Sequence, residues 1–79
     1  LLLSSDCGDL KRLGACAALR RGGLLNLDHH ATNDRFGTLN LVDEAATCSG
    51  MVAERLLARL GVALDRPIAD NLYATLVFD

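Results

Sequence analysis

The chain has 79 residues and a formal net charge of −2, a balance that argues against a broad basic surface for nucleic acid but leaves room for a local phosphate pocket. Half of it (51%) is hydrophobic, enough for a core, yet no apolar run approaches the ~20 residues that span a bilayer. Cys7, Cys16 and Cys48 are widely spaced without a C-x-x-C pair; they form neither a disulfide framework nor a standard zinc pattern, and point to a reducing cytoplasm.

Leu1 to Ser5 reads as the end of a buried strand, followed by the loop Asp6-Cys7-Gly8-Asp9. Leu1-Leu2-Leu3 is too short for a signal-peptide core and has no basic region before it. Leu10 to Arg21 predicts a helix with an apolar stripe through Leu10, Leu13 and Ala17, weakened by Gly14 and ended by Gly22-Gly23. Leu24 to Leu27 is a second strand that runs into Asp28-His29-His30. A loop from Ala31 to Gly37 follows, then a short strand over Thr38–Val42. Asp43 or Thr47 caps the next helix, which carries Val52, Leu56, Leu57 and Leu60 on one face. The last helix starts at Asp65-Arg66-Pro67 and buries Ile68, Leu72, Tyr73, Leu76 and Val77.

This order is that of an α/β fold: a doubly wound parallel sheet with helices on both faces. The chain opens and closes inside apolar runs, so residues 1–79 are expected to be an internal part of one catalytic domain, truncated at both ends.

Ligands of open parallel sheets gather beyond the carboxyl ends of the strands. Here Asp6 and the His29-His30 pair leave two such ends, and a crossover between them makes the strands neighbours. A carboxylate beside imidazoles suits Mn²⁺, Fe²⁺ or Zn²⁺ better than Ca²⁺. Adjacent residues of an extended strand point to opposite sides, so one imidazole is expected to face a metal and the other the substrate. Asp28 is placed to orient either ring, and Asp79 is a third metal-ligand candidate. Each residue also has a plainer reading: Asp6 or Asp9 as a helix cap, Arg12 as a solvated side chain, Asn33 and Gly37 as turn residues.

Three stretches together, Asp6-x-Gly-Asp-Leu-x-Arg12-Leu-Gly, Asn26-Leu-Asp-His-His-x-x-Asn33-x-x-Phe-Gly37-x-x-Asn40-x-Val-Asp43, and Leu72-Tyr73 through Asp79, resemble the DHH phosphoesterase family. The long form from Asp28 to Asp43 is most similar to the bacterial branch of nano-RNases that also act as 3′-phosphoadenosine 5′-phosphate (pAp) phosphatases. The resemblance implies a hydrolase of short oligoribonucleotides or of pAp, with two Mn²⁺ ions in the whole protein and Mg²⁺ as the alternative. It implies Asp6, His29 and Asp79 as metal ligands and His30 and Asp28 as catalytic residues. His30, Arg12 and Asn33 are then the substrate contacts. The family's upstream Asp-His-x-x-x-Asp-x-Asp motif and its C-terminal substrate domain are not in these 79 residues, so this segment alone is expected to be inactive. A cytoplasmic location, a nucleotide partner, no membrane and a homodimer complete the expectation. Alternatives are another DHH hydrolase (single-strand DNA exonuclease, cyclic dinucleotide phosphodiesterase or pyrophosphatase), a nucleotide- or metal-binding module without turnover, and a structural zinc site using Cys7, Cys48 and the histidines.

Overall fold

The computed structural model describes residues 1–79 and contains three strands, β1 (Leu2–Ser5), β2 (Leu24–Asp28) and β3 (Leu39–Val42). They form one parallel sheet in the order β1-β2-β3. Two α-helices follow, α1 (Ser49–Arg59) and α2 (Arg66–Phe78). The architecture is therefore α/β, as the element order predicts.

β2 lies at the centre and is covered on both sides. Leu24, Asn26 and Asp28 are buried on one face, and Leu27 is buried on the other. Pairing on two edges and burial on two faces suit its three leucines, while Asn26 and Asp28 are polar residues buried among them. Helix α1 packs on the Leu27 side, where Val52, Ala46 and Leu27 form the core and Leu25, Met51, Ala53 and Leu56 surround it. The opposite face is more polar: the Ser4 hydroxyl donates to Asn26 Oδ1 at 2.7 Å across the β1–β2 pair.

Three expectations need correction. The segment after β1 is a 3₁₀ helix, Leu10–Leu19, interrupted at Gly14 and burying no side chain. Gly14 has φ 56° and ψ −134°, a conformation open to glycine and costly for other residues, so the chain bends where an α-helix would have continued. Asp9, rather than Asp6, caps this segment by accepting from the Arg12 N–H at 3.0 Å. At α1 neither Asp43 nor Thr47 is the cap. Cys48 holds that position without a side-chain capping bond, while Asp43 accepts from the Ala45 N–H and Thr47 donates to Met51 Sδ.

Helix α2 begins as expected, with Asp65 accepting from the Ile68 N–H at 2.9 Å and a proline in the first turn. Its expected buried face shrinks to Ile68 and Leu72, both half-buried, because α2 packs chiefly against α1. Tyr73, Leu76 and Val77 are exposed. No helix is long and apolar enough to cross a membrane.

Candidate metal centre

Parallel pairing sets Ser5 beside Leu27, so the chain leaves β1 and β2 at the same edge of the sheet. Asp6 turns immediately into the left-handed region (φ 60°), which aspartate tolerates better than most residues, and its N–H donates to the Leu27 carbonyl at 2.9 Å. Asp6 Oδ1 lies 3.5 Å from His29 Nε2. From the end of α2, Asp79 Oδ2 reaches 3.0 Å from that same nitrogen. Three positions far apart in the chain thus converge on one point.

His29 is held by a second contact. Its Nδ1 lies 3.2 Å from the Ala46 carbonyl, which can only accept, so Nδ1–H donates there and Nε2 is the nitrogen turned toward the two carboxylates. Nε2 is buried and makes no hydrogen bond, although the Asp79 oxygen is 3.0 Å away. An imidazole nitrogen and two carboxylate oxygens facing one another are a donor arrangement that a cation would stabilise. The donor set is one imidazole with two carboxylates, and it fits a divalent ion such as Mn²⁺.

Asp6, Asp28, His29 and His30 bring ligand-type atoms within 4.8 Å of one another, but Asp28 is no ligand. It is fully buried, and both its oxygens are taken. Oδ1 accepts from the His29 N–H and from His30 Nδ1, each at 2.8 Å, and Oδ2 accepts from Asn33 Nδ2 at 2.7 Å. Burial works to raise its pKa, but the hydrogen bonds from Asn33, His30 and the backbone outweigh it and hold the carboxyl below its ordinary value. The same bond raises the pKa of His30, against the effect of burial and helped by the charges of Asp28, Asp6 and Asp79.

The two imidazoles do not face opposite ways as strand alternation predicts. β2 ends at Asp28, the backbone turns, and the rings stand side by side with centroids 4.2 Å apart. His30 Nδ1 comes 3.8 Å from Asp6 Oδ1.

Asn33 is not free for substrate. One amide group bonds both the Cys7 carbonyl and Asp28, and its oxygen accepts from the Arg35 N–H; it braces the loop against Asp28. Asn40 has a like role, bonding Gly37 through both N–H and carbonyl and also reaching the Arg35 carbonyl. Arg12 remains accessible. It pairs loosely with Asp9 and lines a polar recess of about 330 Å³ with Asp6, Gly8, Asp9, His30 and Thr32. The cysteines stay outside the cluster: Cys7 Sγ bonds the Asp9 carbonyl and Cys48 Sγ contacts Thr75 Oγ1, so the zinc alternative has no site.

Sequence reasoning missed the contribution of α1 and of the turn that leads into it. Ser49 Oγ donates to Asp6 Oδ1 at 2.9 Å, and the Ala46 carbonyl orients His29. Neither is marked by spacing, since Ser49 lies 43 positions from its partner and Ala46 acts through its backbone.

No family model matches the chain. One relative, the bifunctional oligoribonuclease and PAP phosphatase NrnA of Thermus thermophilus, is 34% identical over 58 residues. The match covers 73% of this chain and 18% of the relative's own length. The chain that gathers Asp6, His29 and Asp79 is thus similar, over most of its length, to a short part of a phosphatase and nuclease.

Proposed function

We propose that the chain is part of a DHH phosphoesterase that hydrolyses short oligoribonucleotides and pAp with Mn²⁺, or Mg²⁺ in its place. One observation carries this reading: the buried, unbonded Nε2 of His29 lies between carboxylate oxygens of Asp6 and Asp79. The similarity to a bifunctional oligoribonuclease and PAP phosphatase supports phosphoester hydrolysis as the chemistry at that point. In this reading Asp6, His29 and Asp79 hold the cation. Bound there, a divalent ion supplies Lewis-acid polarisation of a phosphoryl oxygen and lowers the pKa of water toward neutrality.

The chain's own residues do the rest. His30 lines the polar recess beside Asp6, and its Nδ1 is fixed by Asp28. The raised pKa favours the imidazolium, whose unengaged Nε2–H offsets charge on a phosphoryl oxygen or delivers a proton to the leaving oxygen. Asp28 keeps that ring in place, and Asn33 keeps Asp28 in place. Arg12, across the recess, is the cation for a further phosphate. Free thiols at Cys7, Cys16 and Cys48 suit a reducing cytoplasm.

The test uses the whole protein that contains this segment. Asp6→Ala should abolish Mn²⁺-dependent phosphate release from pAp and cleavage of a dinucleotide. Turnover by that variant at the wild-type rate refutes the assignment.

A further inference from the structure

Asp6 poses a question of its own. Its side chain is more than half exposed, and its backbone is in the left-handed region. The nearby histidine nitrogens, at 3.5 and 3.8 Å, are too distant to fix a carboxylate by hydrogen bonding. A carboxylate in that setting is free to rotate into solvent. The one hydrogen bond its side chain makes is the 2.9 Å bond from Ser49 Oγ.

Ser49 is well suited to hold it. It is 6% exposed and is the first residue of α1, whose Val52 is anchored in the core against Leu27. The hydroxyl is therefore carried on a rigid element rather than on a loop. Its partner is Oδ1, the same oxygen that faces His29 Nε2.

We infer that Ser49 is a positioning residue for the metal centre: its hydroxyl keeps the Asp6 carboxylate turned toward His29 Nε2. The inference rests on the proposed function in that it takes Asp6 as a metal ligand, and it adds a residue on α1 that sets the geometry of that ligand. Ser49 touches neither ion nor substrate. Its effect is on the affinity of the site, because a ligand already oriented loses less rotational freedom on binding.

The experiment titrates the whole protein that contains this segment with Mn²⁺ and follows the free ion by electron paramagnetic resonance. Wild type, Ser49→Ala, Ser49→Thr and Asp6→Ala are compared, with thermal unfolding of each metal-free chain by circular dichroism. Ser49→Ala should bind Mn²⁺ about 10-fold more weakly with an unchanged melting curve, Ser49→Thr should recover most of the affinity, and Asp6→Ala should not bind. A wild-type chain that binds no Mn²⁺ overturns the metal reading and this inference together. Binding that is lost in Asp6→Ala but intact in Ser49→Ala overturns the Ser49 assignment alone. So does a Thr variant as weak as the Ala variant. A Ser49→Ala chain without a melting transition makes the hydroxyl a structural group and overturns it as well.

Discussion

Asp28 shows how one buried side chain can organise a site without entering it. A charge at 0% exposure is tolerable only when hydrogen bonds replace the lost water, and here two backbone-linked histidines and Asn33 supply the donors. The Asp-His-His run was legible as a site because three polar residues end an apolar strand. The division of labour within it was not, since a sequence does not say where the strand stops alternating. A second carboxylate, Asp43, allows a pH test away from the cluster. Its pKa is held below the ordinary carboxylate value mainly by the hydrogen bond from Arg55, with the Ala45 N–H adding to it. A carboxyl with a depressed folded-state pKa stabilises the fold above its unfolded value, and that stability disappears as pH falls through the folded value. Arg55→Ala should therefore move the Asp43 titration upward, toward the ordinary carboxylate range. Carboxyl carbon shifts recorded by NMR across an acid titration check this; an unmoved Asp43 midpoint refutes the pairing.

Elements converge on the site through the contact between the helices. A methyl group placed on Gly50 would overlap the Thr75 side chain, so only glycine lets α2 approach the first turn of α1 this closely. Thr75 lies one helical turn before Asp79, whose carboxylate meets His29. Gly50→Ala should push α2 outward, costing about 1–3 kcal/mol of stability as overpacking does and withdrawing Asp79 from the cluster. Urea unfolding measures the first effect and Mn²⁺ affinity the second. A variant with wild-type stability and affinity would show that the helix contact does not set the site. The three strands, α1 and the cap of α2 could be read from apolar runs and from Asp65-Arg66-Pro67, because these are local signals. The segment after β1 could not. Gly14 adopts a backbone angle that a hydrophobic stripe does not announce, and the resulting 3₁₀ turns bury nothing. The seating of α2 on α1 was equally hidden, since it depends on a glycine and a threonine 25 positions apart.

At the level of the whole molecule, the sheet has an arrangement that leaves work undone. Only 10 of 79 residues are buried, too small a core to leave much surplus over the entropy of ordering the chain. β1 and β3 are both edge strands, and each presents unpaired backbone groups beside exposed leucines, Leu3 at 58% and Leu39 at 66%. Helix α2 adds exposed Tyr73, Leu76, Val77 and Phe78. Open edges of this kind recruit further strands. Because the free edge of β1 and that of β3 are different surfaces, pairing one with the other joins copies head to tail and does not close into a dimer. The isolated 79-residue chain should therefore form a mixture whose mean mass rises with concentration, measurable by size exclusion with light scattering. Leu3→Lys with Leu39→Lys should shift that mixture toward monomer, since edge charges block strand addition. Neither residue touches the Asp6–His29–Asp79 cluster, so Mn²⁺ affinity should stay as it was in the unmodified chain. A single sharp species of constant mass over a hundredfold dilution would mean that the edges are protected, and the account of them given by their exposure would be wrong.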